Sequence, residues 1–133
     1  VISRCVTLKR NVVNEDEFDT GARQKLNLGH TIGHGIEVHS NFQITHGQAV
    51  AIGMAIVTRA GCEEIYPQLT TVLKKFKLPI HTDYTAKQLY VSALSDKKRS
   101  GGIVNMIIPE KIGKCNIVPT PVEQLQTFIE EGL

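Results

Sequence analysis

Apolar residues recur at helical spacing along most of the chain. Near the amino terminus, Ile2, Cys5 and Val6 share one helical face, which predicts the end of a helix from Val1 to about Lys9. The strongest helical pattern runs from His46 to about Glu64, where apolar residues surround most of the predicted helix. We therefore expect this second helix to lie in the core.

Another helical pattern extends from Gly21 to Ser40, after an acidic loop or first turn from Asn14 to Thr20. This helix would contain Gly29, Gly33 and Gly35. A glycine inside a helix costs about 1 kcal/mol relative to alanine, so these glycines need a physical reason. Because glycine has no side chain, we interpret them as sites where a neighbouring backbone or a ligand approaches closely.

Two further helices are predicted from signals at their ends. Pro67 fits the first turn of a helix that ends before Leu78-Pro79. The pattern Thr85-Ala86-Lys87-Gln88 is a capping box and predicts the start of the next helix. A polar, basic loop from Asp96 to Gly102 is expected to follow it.

The last part of the chain predicts a β-hairpin and a final helix. Ile103 to Ile108 and Cys115 to Val118 read as short strands around a turn from Pro109 to Lys114. Thr120 is expected to cap the final helix at its start, with the following proline as the first helical residue, and Gly132 to cap its end. The predicted fold class is mainly α, a multi-helix domain with one small β-hairpin near the carboxyl terminus.

Composition narrows the classes of protein. With 133 residues, 41% hydrophobic and 21% charged, the chain fits a single globular domain over residues 1–133. A formal charge of +2 and 5% aromatic residues argue against a nucleic-acid partner. No apolar run approaches membrane-spanning length and no signal peptide opens the chain, so neither a membrane partner nor export is expected. The three cysteines lie far apart, which indicates reduced thiols in a cytoplasmic protein.

Three of the four histidines between residues 30 and 46 are candidates for a binding site. His30 and His34 are four residues apart, so both would lie on one face of a helix, as in the zinc-binding motif H-E-x-x-H. Thr31 stands where that motif needs its glutamate, which argues against a zinc protease. His46, at the start of the buried helix, is a candidate metal ligand whose other ring nitrogen would bind an acceptor. The alternative is that these are core or capping histidines satisfied by hydrogen bonds.

A catalytic zinc site usually needs three protein ligands. Glu37, Glu15 and Asp19 are nearby candidates for the third, but none has convincing spacing, so we expect it to come from elsewhere.

Polar residues form a second group on the predicted helix. Arg23, Asn27, His30 and His34 would line up along about three turns, and Lys9 adds a positive charge. Arginine can hold a carboxylate or phosphate through two hydrogen bonds. The group is thus either an anion-binding row or the solvated face of an amphipathic helix.

These residues belong to a longer pattern at fixed spacing: Lys9-x-x-Val12-Val13, Asp16-Glu17, Asp19-x-Gly21-x-Arg23-x-x-Leu26-Asn27-x-Gly29-His30-Thr31-x-Gly33-His34-x-x-Glu37, and His46-Gly47-x-Ala49-Val50-x-x-Gly53-Met54. The pattern resembles the 3-dehydroquinate synthase family. The match is dense from Lys9 to Met54. After Met54 it is diffuse, although Asp96-Lys97-Lys98 and the predicted hairpin are compatible with it.

The resemblance implies a function. The family converts the phosphorylated keto acid DAHP (3-deoxy-D-arabino-heptulosonate 7-phosphate) into 3-dehydroquinate and phosphate, a lyase reaction of the shikimate pathway to aromatic amino acids. It uses a divalent metal, zinc or cobalt, and a catalytic NAD. Its N-terminal domain binds the nucleotide and its mostly helical C-terminal domain carries much of the metal and substrate site. The chain resembles that C-terminal domain of a larger two-domain enzyme, expected to be a homodimer.

The resemblance also assigns metal-site residues position by position. His30 and His46 match the two histidine ligands, and the family's third ligand is a glutamate upstream of the matched region. His34 matches the histidine that assists proton transfer. Asp19 stands where the family usually has glutamate, so a catalytic carboxylate is kept with a shorter reach.

Substrate binding is assigned in the same way. Lys9, Arg23 and Asn27 match substrate-binding positions. Lys97 or Lys98 is expected to reach the acidic end of the substrate, and Lys97 is our choice.

Three rivals remain. Another sugar-phosphate cyclase, such as 2-deoxy-scyllo-inosose synthase, shares the histidine motifs. Iron-type alcohol or glycerol dehydrogenases have a similar plan but no need for the anion-binding row. A non-catalytic metal-binding or interaction module would fold alone. If the family interpretation holds, the isolated chain is expected to be inactive, because it carries two of three metal ligands and no G-x-G-x-x-G turn for NAD.

Overall fold

A computed structural model describes residues 1–15, 22–97 and 102–133, with the backbone alone at 15, 22, 23 and 95–97. Its elements, in chain order, are α1 (Ile2–Glu15), a 3-10 helix (Ala22–Asn27), α2 (His30–His39), α3 (His46–Gly61), a short 3-10 helix (Glu63–Ile65), α4 (Tyr66–Lys75), α5 (Ala86–Lys97), β1 (Ile103–Lys111), β2 (Lys114–Pro121) and α6 (Val122–Gly132). The mainly helical fold with one hairpin near the carboxyl terminus is confirmed. No helix within the described ranges combines the length and apolar character needed to cross a membrane.

The core lies where four helices meet. α3 packs against α2 and α6, and α5 packs against the same two helices from the other side. β1 covers one end of α3. The side chains of Ile36, Leu125 and Ile129 are completely buried, and Ile52 and Leu89 nearly so. The prediction that the helix beginning at His46 is buried is confirmed, although α3 ends at Gly61 rather than near Glu64.

The contact between α2 and α3 depends on glycine. A Cβ atom built on Gly33 would lie 3.0 Å from the carbonyl oxygen of Ala49. A Cβ atom built on Gly53 would overlap the carbonyl oxygen of Gly29. Gly35 instead faces α5, where a Cβ would meet Ser92 at an ordinary 3.4 Å. The interpretation of Gly29 and Gly33 as sites of close backbone approach is therefore confirmed.

The prediction of a single helix from Gly21 to Ser40 is wrong. The chain forms a 3-10 helix that ends at Asn27, and α2 begins only at His30. Gly29 between them has a positive φ of 77° and packs against the backbone of α3, which ends one helix and starts the next. Asn27 is consequently not on a continuous helical stripe with His30, and the proposed row over three turns is corrected.

The hairpin is longer and its turn tighter than expected. Ile107 pairs with Ile117, and pairing extends to Ile103 and Pro121. The turn consists of Ile112 and Gly113, whose φ of 89° favours glycine, rather than the whole segment Pro109 to Lys114. Beside it, the Lys114 ammonium lies 2.9 Å from the Glu110 carboxylate and lowers the pKa of that carboxyl.

Helix ends agree with the sequence at some positions and differ at others. Pro67 occupies the first turn of α4, and Thr85 and Gln88 form the expected reciprocal capping bonds of 3.2 and 2.9 Å. α6 begins at Val122, so Pro121 and not Thr120 is its N-cap. The Thr120 hydroxyl donates to the carbonyl of Val118.

Gly132 also differs from its expected role. It is the last residue of α6, not a cap beyond it. Its Cβ would overlap the carbonyl oxygen of Ile56 in α3, so this glycine permits helix packing. At the other end of the chain, α1 extends to Glu15, past the expected end near Lys9.

Candidate functional site

His30 and His46 lie together, each as the first residue of its helix. Their ring centroids are 5.3 Å apart and the rings are inclined at 62°. Gly29 starts α2 at His30, whereas Thr45 caps α3 through a capping box with Gln48. The close contact of α2 and α3 brings these two helix starts together. The backbone of the two helices therefore determines where both imidazoles lie.

Each imidazole uses Nδ1 for a hydrogen bond to the protein. His30 Nδ1 lies 3.2 Å from the carbonyl oxygen of Leu28, and His46 Nδ1 lies 2.8 Å from Oε1 of Glu37. Carbonyl and carboxylate oxygens only accept, so each Nδ1 carries the proton and donates it. In the neutral ring, the lone pair is then on Nε2, the arrangement found in metal-binding histidines.

The donor set fits two ligands of a divalent transition metal. Imidazole nitrogen is a usual ligand of zinc and suits cobalt as well. Across the described part of the chain, no three side chains of His, Cys, Asp or Glu are grouped closely enough to hold an ion by themselves. Of the candidates for a third ligand, Glu37 uses Oε1 for His46, and Asp19 and the Glu15 side chain lie outside what is described.

Glu37 is the residue whose role the sequence did not predict. It lies two turns after His30 on α2 and its side chain is only 10% exposed. Its other oxygen, Oε2, is 3.8 Å from Nδ1 of His34. Glu37 follows His30 by seven residues, so the two share one face of α2. His46 reaches the Glu37 carboxylate only because the connection after α2 brings the start of α3 back to it.

His34 lies one turn after His30 on α2, and its side chain is 49% exposed. It is therefore open to solvent beside the histidine pair. The two remaining histidines, His39 and His81, lie at the surface as expected. His39 donates from Nε2 to the carbonyl of Gln88, 2.7 Å away, and His81 lies 3.5 Å from Asp83.

A largely apolar cavity of about 300 Å³ opens beside the two rings. His30 and His46 line one part of it, and the rest is formed by residues of α3, α4 and the segment after α4: Gly47, Val50, Ala51, Met54, Leu73 and Leu78. Such an open apolar surface can contact the carbon skeleton of a ligand, while the imidazoles bind its polar groups.

Three of the remaining predicted residues lie on or beside the 3-10 helix. Asn27 ends that helix with an exposed side chain, and the backbone of Arg23 belongs to the same helix. α1, which carries the exposed Lys9, packs beside it. Lys97 is the last residue of α5, with only its backbone described, and the predicted catalytic Asp19 falls outside the described residues.

Comparisons with known proteins agree on one family. The model of the family described as 3-dehydroquinate synthase C-terminal matches residues 1–99. A 3-dehydroquinate synthase from Enterococcus faecalis is 40% identical and covers 97% of this chain and 38% of its own length. One from Streptococcus suis is 36% identical and covers 98% of this chain and 39% of its own length. The chain thus spans just under two fifths of the length of these relatives.

A solved structure has the same fold. It is 2-deoxy-scyllo-inosose synthase complexed with carbaglucose-6-phosphate, NAD+ and Co2+. It superimposes with a TM-score of 0.76 and 25% sequence identity, over 99% of this chain and 40% of its own. The fold described above is therefore also found in part of 2-deoxy-scyllo-inosose synthase.

Proposed function

The chain belongs to the 3-dehydroquinate synthase family, and on that premise we propose that it is the metal- and substrate-binding domain of an enzyme converting DAHP into 3-dehydroquinate and phosphate. The observation that carries the proposal is the pair of imidazoles, each with Nδ1 bonded to the protein and with no hydrogen bond from any described residue to Nε2. A family match over residues 1–99 covers both histidines.

His30 and His46 would hold the metal together with a ligand from a preceding domain of the same enzyme. A bound Zn2+ or Co2+ supplies a Lewis acid that polarises substrate hydroxyl and carbonyl oxygens. The catalytic NAD, which carries hydride, is assigned mainly to that preceding domain. Support comes from the cyclase with the same fold, whose structure holds NAD+ and Co2+.

The anionic ends of DAHP, a carboxylate and a phosphate, need cationic and hydrogen-bonding groups. We assign Lys9, Arg23, Asn27 and Lys97 to these contacts. The packing of α1 beside the 3-10 helix supports a shared site for the first three, although they are not on one helical stripe. Holding the substrate in one pose supplies much of the rate in a reaction of this kind.

Proton transfer is assigned to His34, with Asp19 as a second acid–base or orienting group. His34 is suited to this role because its exposed ring lies one turn from the metal ligand His30. The apolar wall formed by α3 and α4 would exclude water from the reacting carbons once the preceding domain covers it as the opposite wall. As a lyase of the shikimate pathway, the enzyme is proposed to work in the cytoplasm as a homodimer.

The rival with the strongest support is a cyclase acting on glucose 6-phosphate, because 2-deoxy-scyllo-inosose synthase has the same fold. Its identity of 25% is well below the 40% shared with a 3-dehydroquinate synthase, which favours DAHP. The dehydrogenase and non-catalytic alternatives have no comparable support.

The test joins this chain to a 3-dehydroquinate synthase N-terminal domain, in one polypeptide or as two separately expressed parts. With NAD and Zn2+, the assembled enzyme is expected to release phosphate from DAHP and not from glucose 6-phosphate. The 133-residue chain alone, under the same conditions, is expected to release none. Cyclisation of glucose 6-phosphate would support the rival, and DAHP turnover by the chain alone would contradict the division into two domains.

A second prediction concerns Arg23. Lysine at this position keeps the positive charge but loses the planar fork that binds an oxyanion through two hydrogen bonds. We expect R23K to lower kcat/KM for DAHP by about tenfold or more in the assembled enzyme, the equivalent of one charge-assisted hydrogen bond. The matched control is R59K, because Arg59 lies near the chain's last residue and bonds the carbonyl of Leu133. Equal effects of the two variants would remove Arg23 from the substrate site.

A further inference from the structure

Glu37 is a buried carboxylate with few partners. Among the described residues it is the one acidic side chain that the fold buries, with 10% of its side chain exposed. Moving a carboxylate out of water is costly unless hydrogen bonds or opposite charges compensate. Its position near the histidine pair therefore points to a role that a surface glutamate could not fill.

We propose that Glu37 is a positioning residue that fixes the tautomer and ring orientation of His46. The role in metal binding rests on the function proposed above, whereas the positioning itself does not. Oε1 of Glu37 accepts a hydrogen bond of 2.8 Å from His46 Nδ1, which keeps the proton on Nδ1 and the lone pair on Nε2. The His46 side chain is 65% exposed, so packing alone restrains its ring little.

The connection between α2 and α3 holds the two residues in register. The carbonyl oxygen of Glu37 accepts from the backbone N–H of Phe42 and from the hydroxyl of Ser40, both at 2.9 Å. The same hydroxyl accepts from the N–H of Ile44 at 3.3 Å. Asn41 and Phe42 are both left-handed, with φ of 55° and 61°. This bonded loop returns the chain so that His46 meets a carboxylate nine residues earlier.

His30 shows the same arrangement with a different partner. Its Nδ1 donates to the backbone carbonyl of Leu28, so its tautomer does not depend on Glu37. The structure therefore uses a main-chain acceptor for one imidazole and a side-chain acceptor for the other. Only the second can be removed by substitution, and the first provides an internal control.

The experiment is ring 15N–1H correlation NMR of the metal-free chain at about pH 8, where ordinary imidazoles are neutral. In the parent, we expect both His30 and His46 as the Nδ1–H tautomer. In E37A, His46 should change to Nε2–H, the tautomer that an unrestrained imidazole favours in water, while His30 stays unchanged. E37Q retains a carbonyl acceptor and is expected to keep the parent tautomer. E123A, which removes a glutamate from the exposed start of α6, should leave both rings unchanged.

Zn2+ affinity, measured by competition with a chromophoric chelator in the assembled two-domain enzyme, gives a second readout. We expect E37A to weaken Zn2+ binding by about 10–100-fold, the usual cost of losing the partner of a ligating histidine. The positioning role would be overturned if His46 of the parent were the Nε2–H tautomer. It would also be overturned if His46 of folded E37A kept the Nδ1–H tautomer of the parent. If the His46 tautomer depends on Glu37 but the assembled enzyme binds no Zn2+, the positioning role would stand and the proposed metal site would be wrong.

Discussion

Alanine at His30 or at His46 is expected to abolish DAHP cyclisation by the assembled two-domain enzyme. Each substitution removes one of the two imidazole nitrogens proposed to bind the metal, and it leaves the ion with too few protein ligands. We expect kcat to fall by more than about 100-fold, because losing a ligand costs more than losing its hydrogen-bond partner. The measurement is phosphate release from DAHP together with the metal content of the purified protein.

H81A is the matched control for these variants. The His81 side chain is 79% exposed and lies against Asp83, not against the histidine pair. Both activity and metal content should match the parent. Near-normal turnover with one equivalent of metal in H46A would show that His46 is not a ligand, and the proposed site would then be wrong.

G53A is expected to destabilise the fold strongly. Its new Cβ would overlap the carbonyl oxygen of Gly29 and lie 2.9 Å from the amide nitrogen of Gly33. Both are backbone atoms, so no side chain can rotate away and the two helices must separate. We expect the free energy of unfolding to fall by about 3 kcal/mol, the upper end of the usual cost of overpacking. Urea denaturation of the chain, followed by circular dichroism, measures the change.

G47A makes the same substitution in the same helix without the clash. Apart from its chain neighbours and the backbone of its own helix, no described atom lies within 4 Å of a Cβ built on Gly47, and no positive φ opposes the change. Alanine is the better helix former, so this variant should be as stable as the parent or up to about 1 kcal/mol more stable. If G53A were no less stable than G47A, close packing of α2 on α3 would not be a determinant of the fold.

The helix that begins at His46 and its close contact with a neighbouring helix could largely be predicted from local sequence. Periodicity located α3, and the glycines of α2 indicated a close neighbour, because helical spacing alone says which residues share a face. The helical pattern predicted His46 at a helix start, where the structure has a capping box formed by Thr45 and Gln48. Such signals act over a few residues and need no knowledge of the tertiary fold.

The break at Gly29 and the partner of His46 could not be predicted in this way. Gly29 interrupts the helix because its backbone meets Met54 and Val50 of α3, a contact that only the folded chain contains. Helical periodicity carried Arg23 and Asn27 across that break and so predicted a stripe that does not exist. Glu37 likewise gains its hydrogen bond from a residue on the next helix.

The loop from Ser40 to Thr45 has a length on which the geometry of the histidine pair depends. Two successive residues with positive φ, one of them a phenylalanine that is 67% exposed, are unfavourable by themselves. The folded chain keeps this conformation because the backbone N–H groups of both residues donate hydrogen bonds to carbonyl oxygens of α2, which closes the turn. One inserted residue would rotate the start of α3 relative to α2 and carry His46 away from both Glu37 and His30. Surface loops usually tolerate insertions. Here, however, the number of residues between α2 and α3 sets the distance between the imidazole nitrogens of His30 and His46.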